Sequence, residues 1–473
     1  MRRIADLGIR GVTCDSKAVK KNFLFVAIKG NLQDGSCFIK EAIANGASYI
    51  IAQGKPRASV KAARNVKFIS VRDARKFLGQ ACAEFYQNPS RKVKVIGITG
   101  TNGKTTISYL IEAIARQAKY GCGVIGTISH RFKNKVIIAK NTTPGSGQLQ
   151  ELLSKMRSAR IKYCAMEVSS HALDQERVEG IDFTYAIFTN LTLDHLDYHK
   201  NLENYFQAKA KLFRKLSSAS VGIINNDDPV ARRLKTLTCA KVLTYGIKNK
   251  SDFMAHDIQY SIKGSEFVLA GPGVKAKIYS NLVGRHNIYN LLAAIAWGVS
   301  ENITFKDIKS ALKNFKNIPG RLEKVFNKKG YNVFVDYAHT PDALFNIISA
   351  MRPLVKKKII VIFGCGGQRD KLKRPLMGEL VTRLADYAIV TSDNPRSEDP
   401  LLIIRDICKG ISKKNFRVIP DRLLAIKEGL ALIGKDDCLV IAGKGHENYQ
   451  VFKNKVQYFN DYKAAQKCLQ LKK

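Results

Sequence analysis

The chain has 473 residues, 45% of them hydrophobic and 25% charged, with 79 Lys and Arg against 39 Asp and Glu for a formal net charge of +40. Such a length predicts about three domains of the usual ~100–200 residues, and the ordinary apolar fraction excludes a disordered or fibrous chain. The longest apolar runs, at 291–299 and 359–363, fall far short of the ~18 residues a membrane span needs, and the start Met1-Arg2-Arg3-Ile4-Ala5-Asp6 leads into no apolar signal core, so a cytoplasmic protein without membrane insertion is expected.

The first piece, to about Asn88, mixes short apolar strands at 23–27, 49–52 and 68–70 with helices at 39–45 and 74–86, and Pro89 with its polar neighbours marks a linker. A buried strand follows at 93–98 and a helix at 107–118, with Thr99-Gly100-Thr101-Asn102-Gly103-Lys104-Thr105-Thr106 between them. Such a loop presents backbone N–H groups to an anion, and the helix N-terminus adds partial positive charge. Lys104 is placed to reach the β and γ phosphates and Thr105 to offer its hydroxyl to Mg²⁺, which predicts a nucleotide triphosphate site. The spacing departs from G-x-x-x-x-G-K-[ST], because Ile98 stands where the first glycine belongs. A plain glycine turn accounts for neither the lysine nor the threonine pair.

Glu167 follows a weak strand at 163–166, within reach of a metal at Thr105, and a carboxylate with a hydroxyl suits Mg²⁺. The stretch Leu193-Asp194-His195-Leu196-Asp197-Tyr198-His199 is dense in His and Asp, and the residues alone leave open a helix cap or a ligand cluster. Residues 205–213 read as a helix with Lys209 and Phe206 adjoining on one face, and on the residues alone Lys209 is a surface cation. Pro319-Gly320 makes the next break. Beyond it, strands at 333–335, 359–363 and 387–391 alternate with helices at 341–351 and 374–385, the pattern of a parallel sheet with ligands at its strand C-terminal ends. Gly364-Cys365-Gly366-Gly367 lacks the G-x-G-x-x-G frame of a dinucleotide site, and a proline turn accounts for Asn394-Pro395 but not for Arg396.

Ten scattered cysteines with no C-x-x-C pair predict neither structural zinc nor a disulfide framework. The basic excess is spread over all three pieces rather than gathered in an arm, which points to lysine-rich surfaces and not to nucleic acid.

The loop 99–106 resembles that of the Mur ligase superfamily, which also includes folylpolyglutamate synthetases. Further motifs carry the resemblance along the chain: Asn141-Thr142-Thr143-Pro144-Gly145-Ser146, residues 167–178 and 194–199, Gly284-Arg285-His286-Asn287-Ile288-Tyr289-Asn290, Gly320-Arg321-Leu322-Glu323, Asp336-Tyr337-Ala338-His339-Thr340-Pro341, residues 364–375, Asp393-Asn394-Pro395-Arg396 and Gly443-Lys444-Gly445-His446-Glu447.

The resemblance implies an α/β protein of three domains: a small α/β UDP-binding domain (1–88), a central, mostly parallel P-loop ATPase-like domain (89–318) and a C-terminal Rossmann-like domain (319–473) that binds the added amino acid. It implies an ATP-dependent amide ligase joining meso-2,6-diaminopimelate to UDP-N-acetylmuramoyl-L-alanyl-D-glutamate through an acyl phosphate, acting as a monomer on small-molecule substrates. ATP would be held by Gly100, Thr101, Asn102, Gly103, Lys104, Thr105 and Thr106, with Asn287, Asn290, Arg321, Asp336 and His339 between the second and third domains. The UDP end would meet Ser16, and the muramoyl dipeptide Asn141, Thr142, Thr143, Ser169, Gln175 and Arg177, groups suited to an anionic glycopeptide.

Catalysis falls by the same resemblance to Lys104, Glu167, His195 and Lys209. Two Mg²⁺ ions would be held by Thr105, Glu167, His195 and Lys209, the last as the CO₂ adduct N6-carboxylysine. Arg369, Asp393, Asn394, Arg396, Gly443 and Glu447 match positions around diaminopimelate, whose distal carboxylate a guanidinium can pair bidentately while Glu447 faces an ammonium. The same chemistry with L-lysine, a nucleic-acid-dependent ATPase and a nucleotide-binding scaffold are the competing readings.

Overall fold

Four parallel strands open the chain: Gly11–Thr13 (β1), Phe23–Val26 (β2), Ala47–Gln53 (β3) and Lys67–Val71 (β4), in that spatial order. They are seen in a computed structural model, which describes residues 4–30, 33–54, 65–453 and 455–471; Met1 to Arg3 of the opening stretch lie outside it. Side chains alternate between the faces of this sheet, as strand geometry requires. Leu24, Val26 and Ile51 pack with helix Ala74–Phe85, and Phe25 and Ile50 pack with helix Ile39–Ala44.

The central sheet comprises Lys94–Thr99 (β5), Cys122–Ile125 (β6), Ser129–Phe132 (β7), Lys135–Ile138 (β8), Tyr163–Glu167 (β9), Phe183–Phe188 (β10), Val221–Asn225 (β11), Lys241–Gly246 (β12), Phe253–Ser261 (β13), Gly264–Gly271 (β14) and Val274–Ser280 (β15). Its order is β15-β14-β13-β12-β11-β10-β5-β9-β6-β7-β8, with β5 running parallel to both neighbours. Register is what matters for function. Ile98 pairs with Glu167 and Thr99 with Phe188, so three adjacent strands end level with one another where the phosphate loop begins.

A second sheet holds Glu323–Lys324 (β16), Asn332–Asp336 (β17), Ile359–Phe363 (β18), Tyr387–Val390 (β19), Phe416–Val418 (β20) and Cys438–Ala442 (β21) in the order β16-β17-β21-β18-β19-β20, parallel apart from β16. β18 and β21 are buried along their whole length, because Pro341–Met351, Lys373–Leu384 and Pro400–Cys408 cover one face while Arg422–Leu432 and Asp461–Leu471 cover the other. A hairpin, Tyr449–Phe452 (β22) with Lys455–Tyr458 (β23), follows.

The chain divides into two compact units: Met1–Ala255 with Leu269–Lys275 and Tyr289–Ala311, and His256–Val268 with Ala276–Ile288 and Leu312–Lys473. The four-stranded sheet shares the first unit with the strands from β5 to β12. Around Pro89 the chain forms a short 3-10 turn in which Pro89 and Ser90 are buried and the Ser90 hydroxyl accepts the Asp182 N–H at 3.0 Å. Among the described residues no helix is long and apolar enough to cross a membrane.

Candidate active site

The loop after β5 turns through Gly103, whose φ of +91° belongs to glycine and whose missing Cβ leaves room for the Asn290 side-chain oxygen. Helix Lys104–Gln117 starts at the next residue, so its first-turn N–H donors face the loop. The Lys104 ammonium folds back onto the Gly100 and Thr101 carbonyls at 2.7 and 2.8 Å. Two of the expected phosphate donors are spent inside the protein: the Thr101 N–H goes to the Asn190 carbonyl and the Asn102 N–H to the Asn190 side chain, both at 2.9 Å. The anion-binding capacity therefore lies toward the helix end of the loop, at Gly103 to Thr106.

Glu167 at the end of β9 is 1% exposed. Its Oε2 accepts from the hydroxyls of Thr105 and Thr127, each at 2.9 Å, and its Oε1 from the Thr127 N–H at 3.0 Å. Thr105 thus meets the carboxylate anticipated for it. Thr127 completes the oxygen cluster without any motif to announce it, since it lies in the connection after β6. A buried carboxylate ringed by hydroxyls is a hard-oxygen donor set, which fits Mg²⁺ by its chemistry. Among the described residues no three His, Cys, Asp or Glu side chains converge as a ready ligand cage, so such an ion would need oxygen donors from other sources.

Lys209 corrects the surface-cation reading: it is 1% exposed, on helix Leu202–Arg214, with its ammonium 4.1 Å from the Tyr205 ring centroid. Tyr205 and Phe206, four and three residues earlier, are buried on the same face, and that spacing carries Lys209 inward with them. Burial, and secondarily the Lys104 charge, hold its ammonium well below the usual lysine range, with Asp194 opposing.

The helix-cap reading of 194–199 also shifts. His195 stands at the N-cap of the short helix Leu196–His199 in left-handed conformation without a capping side-chain bond, and the cap of Leu202–Arg214 is Asn201, which accepts from the Asn204 N–H at 2.8 Å. The His195 ring lies 4.8 Å from His171 and 6.2 Å from Tyr205, and its Nε2 is 3.5 Å from Asp194.

Of the residues expected around the muramoyl dipeptide, Thr143, Ser169, Gln175 and Arg177 form one hydrogen-bonded group. Thr143 donates to the Glu167 carbonyl at 2.8 Å and accepts the Ser169 N–H at 3.0 Å; Arg177 donates to the Thr143 carbonyl and, through two nitrogens, to Gln175. Thr142 shares a hydroxyl contact of 3.1 Å with Thr127, and Asn141 is exposed beside it. Ser16 lies apart on the four-stranded sheet domain, donating to Glu41 at 2.5 Å.

In the second unit the motifs gather at the C-terminal ends of β17, β18, β19 and β21. Asp336 spends both carboxylate oxygens on the Leu322 and Ala338 N–H groups at 2.6 and 2.7 Å, and burial raises its pKa against the pull of Arg321. Arg321 lies 5.0 Å from the Tyr337 ring and His339 contacts the Tyr337 carbonyl at 2.7 Å, while Asn287 donates to the Val283 carbonyl. In the turn after β19, the Arg396 Nη1 donates to the Gly367 carbonyl at 2.7 Å, and among the described residues its guanidinium makes no other hydrogen bond. Asn394 donates to Glu447 at 2.7 Å, Gly443 approaches the Asp393 carboxylate, and Arg369 is exposed nearby on the chain. The β22 strand, which no motif signals, stitches this turn in place through the Val451 N–H to Asn394 and Gln450 to the Asp393 carbonyl.

A glycine loop leading from a central parallel strand into a helix, with a buried oxygen cluster at the adjacent strand end, defines an α/β protein of the phosphate-binding-loop class. Comparison with known proteins narrows this. Residues 8–86 match the Mur ligase family, catalytic domain; residues 98–298 the Mur ligase middle domain; and residues 320–445 the Mur ligase, glutamate ligase domain. The chain belongs to the Mur ligase family and is an ATP-dependent ligase.

It is 42% identical over 468 residues, 98% of this chain and 96% of the relative, to the UDP-N-acetylmuramoyl-L-alanyl-D-glutamate–2,6-diaminopimelate ligase of Clostridium tetani, and 43% identical over 469 residues, with the same coverage, to that of Clostridioides difficile. A solved structure of a ligase of that name superposes with a TM-score of 0.72 at 32% identity, covering 98% of this chain and 95% of the other. A Mycobacterium tuberculosis folylpolyglutamate synthase complexed with ADP shares the fold, with a TM-score of 0.65 at 18% identity over 78% of this chain and 91% of the other.

Proposed function

We propose that the protein, a cytoplasmic monomer, joins meso-2,6-diaminopimelate to UDP-N-acetylmuramoyl-L-alanyl-D-glutamate, converting ATP to ADP and phosphate, in peptidoglycan precursor synthesis. The observation that carries the reading is the Thr105 hydroxyl set against the buried Glu167 carboxylate, with Lys209 buried on helix Leu202–Arg214. Its companions are the full-length relatives that bear this activity in their names.

The free glutamyl carboxylate attacks the γ-phosphorus, an oxygen–phosphorus bond forms, and ADP leaves. The amino group of the incoming amino acid then attacks the acyl phosphate carbon, phosphate departs, and the amine releases a proton. Two anions must approach each other in the first step, so positioning and positive charge dominate the barrier. Lys104 supplies that charge once its ammonium leaves the loop carbonyls for the phosphates, and Gly103 to Thr106 supply backbone donors.

Two Mg²⁺ ions would be held by Thr105, Glu167, His195 and Lys209, and when bound they supply neutralisation of phosphate charge. Lys209 suits the part because a buried, neutral amine reacts with CO₂: a nitrogen–carbon bond forms, one proton is released, and the amine becomes an anionic carbamate. Asn141, Thr142, Thr143, Ser169, Gln175 and Arg177 take the dipeptide end, and Ser16 the uridine end. The division 1–88, 89–318 and 319–473 follows this partition of substrates.

Arg396 is assigned to the distal carboxylate of diaminopimelate and Glu447 to its distal ammonium. Phosphate release measured with each amino acid tests the assignment. Turnover with diaminopimelate and little with L-lysine is expected; preference for L-lysine would overturn it.

A further inference from the structure

Lys444 is buried completely, although neither composition nor motif spacing gives it a task. Its backbone is fixed on both sides. Gly443 and Gly445 have φ of +113° and +53°, and a Cβ at Gly445 would sit 2.7 Å from that of Tyr337. The lysine side chain is thereby directed inward, where its ammonium meets the Glu447 Oε2 at 3.4 Å and the Tyr449 carbonyl.

Glu447 itself is asymmetric. Its Oε2 takes both the Asn394 amide, at 2.7 Å, and Lys444, whereas among the described residues its Oε1 accepts no hydrogen bond, and the side chain is 16% exposed. Burial raises the Glu447 pKa, so a neighbouring cation is needed to keep it ionised. The other buried cation of the neighbourhood, Arg422, is committed to Asp461 through two bonds of 2.7 Å. Lys444, whose charge also faces Asp393, is the cation in hydrogen-bond contact with Glu447.

We propose that Lys444 is a positioning residue for amino-acid recognition: it holds Glu447 with Oε2 turned to Asn394, so that Oε1 is the oxygen presented to the distal ammonium of the added amino acid. This rests on the ligase reading above and names how one of its subsites is aimed. Lys444 touches no reacting atom.

The test is Lys444→Gln, which keeps a donor for the Tyr449 carbonyl but removes the charge, assayed by phosphate release with meso-diaminopimelate and with 2-aminopimelate, which lacks the distal amine. Expected is a KM for diaminopimelate raised at least about tenfold, with kcat, the KM for ATP and the KM for 2-aminopimelate within about twofold of the parent, and Lys444→Arg restoring most of the loss. An unchanged KM for diaminopimelate, or equal losses with both amino acids, overturns the proposal.

Because an uncompensated buried carboxylate can prevent folding, the double variant Lys444→Gln/Glu447→Gln is compared with Glu447→Gln alone. Equal KM values are expected, since on this proposal Lys444 reaches the amino acid through Glu447 and Gln keeps the bond to the Tyr449 carbonyl, and a further rise in the double variant overturns the proposal. If the parent protein adds no diaminopimelate at all, it is the ligase reading that fails, which separates the two outcomes.

Discussion

The phosphate loop is made from backbone and short side chains at the ends of three parallel strands in register, whereas the turn at 393–396 is made from long charged side chains that hold one another and a hairpin. At the first, Glu167 is placed by strand pairing itself, as the register partner of Ile98, and Thr105 and Thr127 meet it from the helix start and from the connection after β6. At the second, Asn394, Lys444 and Glu447 depend on mutual hydrogen bonds for their aim, and Arg396 on its bond to the Gly367 carbonyl. Triphosphate chemistry is common to every substrate, so a rigid backbone frame suits it; amino-acid choice turns on one carboxylate and one ammonium, so a side-chain network suits that. The contrast predicts catastrophic variants in the first region and variants with selective, substrate-dependent losses in the second.

The largest effect is expected from Lys104→Ala. Removing a preorganised charge at a transferring phosphoryl group lowers kcat by at least about 10²–10³-fold. ADP formation within tenfold of the parent would break the comparison by showing that the loop does not carry the chemistry. Next comes Lys209→Met, whose expected loss is about 10²-fold on the scale of a ligand or its supporting partner. The parent enzyme should also lose activity when CO₂ and bicarbonate are removed and regain it on their return, whereas Lys209→Met should not respond. A response in the variant would exclude the carbamate.

Lys209 also shows where sequence reading reaches and where it stops. The strand, loop and helix around 94–117 are legible because hydrophobic runs, glycines and a lysine each have a local physical meaning; the strand lies within one residue of expectation, and the helix begins three residues earlier, at Lys104. Lys209 is misread by residue type alone, although its i+3 and i+4 spacing from Phe206 and Tyr205 already put it on the buried face. Spacing outranks chemistry there. Thr127 and Lys444 are a different case: one is delivered by a connection between strands, the other by two glycines and a later hairpin, and neither placement has a local periodic signal. The helix-cap reading of the 193–199 stretch shifts for a third reason. Several good capping residues lie within eight positions, and only the chain's path selects Asn201 among them.

On the amino-acid side, Arg396→Ala should raise the KM for diaminopimelate about 10–100-fold, the range for losing a charge-assisted pair of about 1.5–3 kcal/mol, while the KM for ATP stays near the parent value. The ratio of diaminopimelate to L-lysine use should fall with it. Equal losses for both amino acids would assign Arg396 to holding the Gly367 carbonyl rather than to selection.

A smaller effect is set by pH. Burial raises the Glu447 pKa, with Asp393 adding to the rise and Lys444 and Asn394 opposing it. On acidification the carboxylate is therefore neutralised before an exposed glutamate would be, and an ammonium loses its partner. The KM for diaminopimelate should climb several-fold toward acid pH while that for 2-aminopimelate stays flat, and Glu447→Gln should abolish the difference. Parallel profiles for both amino acids would place the titrating group elsewhere.

The smallest effect separates capping from ligation in the 194–201 stretch. Asn201→Ala removes the bond to the Asn204 N–H at the start of the helix that carries Lys209, and should lower unfolding free energy by about 1 kcal/mol. Asp194→Ala removes no cap from that helix, so denaturant midpoints should barely move. Activity should respond in the opposite order, because Asp194 faces His195, one of the residues proposed to hold the metal ions, whereas Asn201 only anchors the helix end. If Asp194→Ala were the more destabilising of the two with activity intact, the aspartate would be structural and the contrast between a backbone-built and a side-chain-built region would lose its clearest local instance.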